Sequence, residues 1–385
     1  MKFNEAKIIL EKEGVLKSSQ NRAANAFYFP SKRDAKLILC LKNREIFSGG
    51  LKMWSNTSRK KKAIGRIIIL FFDLKLLKIF FSKKFGYVNF ENKKIKNLVS
   101  NNEILAFNIY VGLSKKNNTS LTFQLFSLNN RIYYSRLPLN NESNKHALNE
   151  FENSLYLSKN KANLYISSPI SCKPSETSFY YIYPEVTGEI SKYDLNSELY
   201  SLLRNLQSKT YVEIDDIYSE KYISSIDDVI QLQKGSIKER LIAVSDKHYK
   251  ILRQAKYLES FYHGDFVYWN IIKEKNKFKL IDFEYSIKRF LPLFDLCHYI
   301  YIGNNFYLKQ MRENEINFLI EKVKIFSKNE KSIFQEKEND DIIKSIIISY
   351  ILNLLYRFVF IEGNLSKSIR VTSSIKNIFA IDNIC

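Results

Sequence analysis

Cysteine is scarce and scattered. Four occur in 385 residues, Cys40, Cys172, Cys297 and Cys385, without a Cys-x-x-Cys pair or a His-x-x-x-His spacing. That pattern argues against a disulfide framework and against a zinc site, and it fits a reducing, cytoplasmic setting. Long apolar runs are missing too. The first residues, Met-Lys-Phe-Asn-Glu-Ala-Lys, lack the unbroken apolar core of a signal peptide. The most apolar stretch of the N-terminal third, Ile67–Phe81, is interrupted by Asp73, Lys75 and Lys78 and falls short of the roughly 20 residues a membrane span requires. Its three charges do not gather on one face, so a helix that packs in a core is favoured over an interfacial anchor.

Acidic residues are outnumbered. Sixty Lys and Arg stand against 40 Asp and Glu, for a formal net charge of +20. Such a field attracts polyanions. The same chain is rich in Lys, Asn and Ile together, a bias that genome composition produces without selection on charge. No regular Arg/Lys stripe, zinc finger or aromatic ribonucleoprotein motif accompanies the excess. A basic surface without a nucleic-acid role is therefore preferred, and an anionic substrate or a peripheral membrane contact stays open.

What is present is ample material for a folded core: hydrophobic residues make up 45% and charged residues 26%, ordinary values for a globular chain. Residues 1–103 read as an α/β extension, with a strand near Lys36–Leu41 and an Asn- and Lys-rich boundary at Glu91–Glu103. From Ile104 the pattern predicts strands at Ile104–Val111, Ser120–Leu128 and Arg131–Leu137, the last two joined by a tight turn at Asn129-Asn130. A helix follows over Ser143–Leu157, with Ala147, Phe151 and Leu155 on one face, then a strand at Ser178–Tyr183 ended by Pro184. Beyond it the chain is largely helical, starting with Leu195–Leu206 and Ile237–Ser260. This is an α+β layout with a small antiparallel sheet region (104–184) followed by a helical region (185–385).

The chemistry is concentrated in His263-Gly264-Asp265-Phe266-Val267-Tyr268-Trp269-Asn270, followed twelve positions later by Asp282 within Leu280-Ile281-Asp282-Phe283-Glu284. Between them, Ile271–Lys273 and Phe278–Ile281 read as a short hairpin that returns Asp282 to the side of Asn270. A carboxylate at Asp265 accepts or orients the proton of an attacking hydroxyl. Asn270 and Asp282 supply oxygen ligands suited to Mg2+ held against phosphates. Taken singly, Asp265 as the start of a turn, Asn270 as a cap and His263 as a satisfied core residue are ordinary structural roles. Their joint spacing, in a strand-and-loop setting, favours catalysis. Asp295, in Pro-Leu-Phe-Asp-Leu, reads as a further acidic position or as a helix cap.

This constellation resembles the Brenner motif and the magnesium-binding aspartate of aminoglycoside phosphotransferases, choline kinases and related small-molecule kinases, relatives of the protein kinases. The resemblance spans about residues 104–362, with sharp motifs only in 263–295. It implies a bilobal protein-kinase-like fold with an N-terminal extension, ATP as co-substrate bound between the lobes, Asp265 facing the acceptor hydroxyl, His263 supporting the loop, and Mg2+ on Asn270 and Asp282. It further implies that the loop Gly112–Thr119, with Gly112 and Ser114, covers the phosphates. Glu150 would be an ion-pair partner on the helix, and Tyr181 and Tyr183 would lie against adenine. Where the family places a lysine on the third strand, this chain has Arg136, whose planar fork is longer and differently shaped. Lys145, on the following helix, is the alternative cation.

The acceptor region (190–235 and 300–362) does not concentrate acid: Asp215-Asp216 and Asp227-Asp228 sit among lysines, a poor match for polycationic aminoglycosides. A hydroxyl of a sugar, a phosphorylated metabolite or a membrane-associated glycan is the expected acceptor. Two other classes stay in view. One is a catalytically silent nucleotide-binding relative, kept alive by Arg136. The other is a peripheral membrane or polyanion-binding protein acting through the basic Arg59–Lys84 region.

Overall fold

The computed structural model describes residues 3–18, 25–30, 36–55, 59–77, 87–91, 95–99, 103–112, 119–160, 166, 168–175, 178–212, 226–255, 257–275, 277–328, 340–363 and 368–384. They form two compact units: residues 1–151 with 168–185, and residues 152–167 with 186–385.

The first unit is built on one nine-stranded sheet. Its strands are β1 (Leu16–Ser18), β2 (Ala26–Phe29), β3 (Leu37–Cys40), β4 (Tyr87–Phe90), β5 (Ile104–Gly112), β6 (Ser120–Ser127), β7 (Ile132–Pro138), β8 (Ser171–Pro174) and β9 (Phe179–Pro184). They lie in the order β1-β4-β2-β3-β5-β6-β7-β9-β8. The strands expected from alternation are there. The boundary expected at residue 103 is not: β3 pairs antiparallel with β5, Leu37 opposite Tyr110. The N-terminal hundred residues thus prolong the sheet of the following segment instead of folding as a unit of their own. The physical reason is that β2 and β3 are buried on both faces, so their apolar runs need a continuous sheet beside them. The turn at Asn129-Asn130 closes β6 onto β7 with Asn130 at φ +58°, a conformation that asparagine tolerates better than most residues.

Helices cover this sheet. They are α1 (Phe3–Lys12), α2 (Arg44–Ser55), α3 (Arg59–Asp73) and α4 (Asn141–Lys159), the last passing from the first unit into the second. Asn43 caps α2 by accepting the Ile46 N–H at 2.9 Å. Gly50 lets α2 approach the sheet, since a Cβ there would sit 2.4 Å from Asn108 Cγ. Asn108, fully buried, donates to the Ile46 carbonyl at 2.7 Å and accepts from the Cys40 N–H at 2.9 Å, tying the helix to β3. The α4 start is a reciprocal cap: Asn140 Oδ1 accepts the Ser143 N–H, and Ser143 Oγ accepts the Asn140 N–H.

The second unit holds two small sheets and a helical core. β10 (Glu189–Ile190), β12 (Ile271–Glu274) and β13 (Lys277–Leu280) form one sheet; β11 (Ser260–Tyr262) and β14 (Ile287–Phe290) form the other. The helices are α5 (Ser197–Ser208), α6 (Gly235–Gln254), α7 (Phe294–Gly303), α8 (Glu313–Lys328), α9 (Asp340–Tyr356) and α10 (Ile369–Asp382). The helix expected to reach Ser260 stops at Gln254, because Ser260–Tyr262 pairs as a strand with β14. α9 runs on through a π-helical turn, Arg357–Ile361. Asp340–Ile361 is long and apolar enough to cross a bilayer by length alone, yet its apolar window is 72% buried inside the unit, as a core helix would be.

Candidate active site

Asp265 follows β11 in a loop closed by a single 3-10 turn, Tyr268–Asn270. Gly264 makes the loop's sharp bend at φ +80°, and a Cβ at that position would lie 2.3 Å from the Tyr285 carbonyl oxygen. Only glycine fits there. The loop hangs from a buried carboxylate: Asp295, in the first turn of α7, accepts the N–H of His263 at 2.9 Å and of Gly264 at 3.2 Å. Burial raises the Asp295 carboxyl to about 7, against the two backbone hydrogen bonds that lower it. His263 is likewise sealed in. Its Nδ1 accepts the Asp265 N–H at 3.3 Å, so Nε2 carries the proton and donates to the Ile281 carbonyl at 3.1 Å. Burial pulls this imidazole down to about 4, which keeps it neutral and unfit as a base at neutral pH. It is a strut, as the sequence leads one to expect.

Three donors fix the Asp265 carboxylate. Arg357 Nη2 reaches Oδ1 at 2.9 Å, His298 Nε2 reaches the same oxygen at 3.3 Å, and Asn270 Nδ2 donates to Oδ2 at 2.8 Å. Because an ionised carboxylate only accepts, His298 holds its proton on Nε2, and its Nδ1 accepts from the Tyr350 hydroxyl at 3.1 Å. Burial alone would raise the Asp265 pKa. The Arg357 charge and the His298 hydrogen bond outweigh it and hold the group well below the usual carboxylate range. Two donors fill Oδ1 and one occupies Oδ2, so the acceptor direction left for another hydroxyl is on Oδ2, beside Asn270.

The hairpin β12–β13 does what its sequence promises. Ile271 stands opposite Leu280, and the Ile281 N–H donates to the Asn270 carbonyl at 3.1 Å. Asp282 therefore emerges next to Asn270, at φ +68°, a strained setting typical of functional residues. With its amide nitrogen spent on Asp265, Asn270 keeps its Oδ1 without a hydrogen bond among the described residues. Among those residues no three His, Cys, Asp or Glu side chains gather as a metal cage. Mg2+ held together with substrate phosphates needs only one or two protein oxygens, which is what Asn270 and Asp282 offer.

Arg357 was invisible to motif reasoning, although it left a trace. Between Lys344 and Glu362 it is the lone charged residue of an otherwise uncharged stretch, and a buried charge needs a partner. Besides Asp265 it donates to the Gly264 carbonyl at 2.6 Å and to Glu362 at 3.3 Å, with its guanidinium 3.9 Å from the Tyr285 ring centre.

In the first unit, Arg136 on β7 and Glu150 on α4 form the expected ion pair, Nη1 to Oε2 at 3.0 Å, and Arg136 Nε also donates to Ser120 Oγ at 3.2 Å. Gly112 ends β5 opposite Ser120. Ser114 lies in 113–118, outside the described residues. Tyr183 is half-buried, and its hydroxyl finds no hydrogen-bond partner among the described residues. Tyr181 corrects its assignment: the side chain is completely buried, bonded through its hydroxyl to Asn144 at 3.0 Å and packed on Phe151. It has no surface left for a base. Lys145 pairs with Glu142 on the exposed side of α4, so it does not stand in for Arg136.

No family model matches this sequence, and no curated protein matches it. Among solved structures the chain is similar to an amicoumacin kinase in complex with AMP-PNP and Ca2+ (14% identity, 70% of this chain and 87% of that one, TM-score 0.47). It is also similar to a Plasmodium vivax ethanolamine kinase (14%, 88% and 94%, 0.46) and to a choline/ethanolamine kinase family protein from Mesorhizobium loti (12%, 76% and 94%, 0.48). This is a mixed α and β chain, an antiparallel sheet region followed by a helical one, with a likeness to small-molecule kinases. At such identities the chemistry must be read from the chain's own residues.

Proposed function

We propose that this chain is an ATP- and Mg2+-dependent phosphotransferase acting on a hydroxyl of a small molecule or glycan. One observation carries the proposal. Asp265 is held ionised and aimed by Arg357, His298 and Asn270, with a free acceptor direction on Oδ2, while the β12–β13 hairpin returns the chain at Asp282 to the side of Asn270. Asp265 orients the acceptor hydroxyl through Oδ2 and takes its proton as the bond to the γ-phosphorus forms and the bond from that phosphorus to the bridging oxygen breaks, releasing the nucleoside diphosphate. A carboxylate with so low a pKa is a feeble base. That is sufficient where the transition state is loose and the nucleophile loses its proton late, so positioning supplies most of the rate. Asn270 and Asp282 would hold Mg2+, which would supply charge neutralisation at the nucleotide phosphates. Arg136, fixed by Glu150, supplies a cation for the nucleotide phosphates.

The test is nucleotide consumption against a panel of sugars, amino alcohols, nucleosides and glycan intermediates, with Mg2+ or EDTA. Asp265→Ala should abolish acceptor-stimulated transfer and leave Mg2+-nucleotide binding intact; Asp282→Ala should weaken that binding. A chain that binds no nucleotide refutes the proposal. Binding without turnover on any acceptor points to the silent relative, for which the Arg136–Glu150 pair in place of a lysine is the specific observation.

A further inference from the structure

The basic N-terminal helix α3 does not pack as a buried element. Its inner face is anchored: Ile68 is buried, Phe72 stacks on Phe47 of α2 at 4.3 Å, and Asp73 is held by Arg44 at 3.0 Å. The helix closes with Lys75 at φ +57°, the Lys75 N–H bonded to the Phe72 carbonyl and the Leu76 N–H to the Phe71 carbonyl, a Schellman end that keeps Leu74 in helical phase. The outer face is another matter. Ile64, Ile67, Leu70 and Leu74 are 38%, 53%, 56% and 57% exposed. At steps of three, three and four residues they form one stripe along the helix. Lys60, Lys62 and Arg66 are exposed around it, and the helix's single acid, Asp73, is already neutralised by Arg44.

We propose that this face of α3 docks on an anionic lipid bilayer, lying in the plane of the interface with the Ile/Leu stripe inserted and the basic residues among the headgroups. Charge complementarity selects this occupant. A second copy of the chain, paired through the same patch about a two-fold axis, would bring the lysines and arginine of both copies together with no free acid on the helix to meet them. A nucleic acid would meet four exposed aliphatic side chains, which offer no ring to stack its bases against. A negatively charged bilayer satisfies both features at once, apolar side chains below and cations at the headgroup level. The proposal does not depend on the phosphotransfer chemistry of the second unit.

The experiment is flotation of the full chain with phosphatidylcholine vesicles, with and without phosphatidylglycerol, at low and high salt. The chain should float with the anionic vesicles at low salt and be released as salt screens the attraction. The triple change Lys60→Ser, Lys62→Ser, Arg66→Ser should weaken partition on the order of a hundredfold, about fivefold per cation. The triple change Ile64→Ser, Ile67→Ser, Leu70→Ser should weaken it about tenfold or more, through lost apolar insertion. All six positions are exposed, so both variants should keep the wild-type circular dichroism and thermal midpoint. Three results would overturn the proposal. The wild type could stay in solution with both vesicle types. Binding could respond to the cation changes but not to the apolar ones, which means plain polyanion attraction. A concentration-dependent dimer could appear that the apolar changes dissolve, which means a second copy covers the stripe.

Discussion

Arg357→Met tests the site's electrostatics directly. The change keeps a long apolar stem and removes the guanidinium that meets Asp265 at 2.9 Å, the Gly264 carbonyl at 2.6 Å and Glu362 at 3.3 Å. Both ends of the Arg357–Asp265 pair are less than one fifth exposed, at 16% and 17%. Breaking a buried pair from one side costs about 3–5 kcal/mol, because the orphaned charge stays behind; the residual exposure and the remaining His298 and Asn270 donors place the expected loss at ~3 kcal/mol. The pH dependence follows from the sign of the shift. In the wild type Asp265 is held below its usual pKa of about 3.9. Its contribution is therefore complete above that value and lost only as pH falls further. Without Arg357, burial is no longer offset and the carboxyl titrates higher. The gap between wild type and variant should then be full by pH 7 and narrow toward pH 3, where the variant's carboxyl is protonated, without closing there, because the wild-type carboxylate is still ionised at that pH; urea unfolding across that range reads it. Arg357→Met with Asp265→Asn should recover a large part of the loss, since no buried charge is left unpaired. A deficit at pH 7 under about 1 kcal/mol that does not vary with pH, or a double variant no more stable than Arg357→Met, would refute this account of the site.

Gly264→Ala forces a side chain into a left-handed backbone and against the Tyr285 carbonyl; the φ strain alone costs ~1–3 kcal/mol, so a fall in thermal midpoint should accompany lost transfer, and an unchanged midpoint would show that the loop relaxes. For Asp295, the folded pKa near 7 lies above the ordinary value of about 3.9, so its contribution is complete at acid pH and declines as pH rises through 7. Asp295→Asn removes that titration. The stability advantage of the wild type over this variant should narrow between about pH 4 and pH 7, and a constant advantage would show that Asp295 does not titrate in that range.

Much of the site was legible because it is local. The run from His263 to Asn270 and the hairpin to Asp282 span twenty residues, and a two-stranded turn of that length leaves the chain little choice about which residues meet. His263 as a hydrogen-bonded support of the loop and Glu150 as partner to Arg136 also came through, the first from its place in the motif and the second from the periodicity of α4. Tyr181 failed for the opposite reason. Strand alternation says which residues share a face, yet not which neighbour covers that face, and here Phe151 and Asn144 cover it.

The sequence by itself determined the strands β3, β5, β6, β7 and β9, the loop from His263 to Asn270 and the hairpin that returns to Asp282, because turn chemistry, apolar period and short spacing act within a few residues of one another. Tertiary structure alone decided the rest. It joined the first hundred residues to the following strands by pairing β3 with β5 across about seventy positions. It turned one apolar stripe of α3 outward by burying the other. It also brought Arg357 to Asp265 across 92 positions. Contacts of that range depend on how separate elements pack, and only the packed core, where an unpaired charge is expensive, selects them.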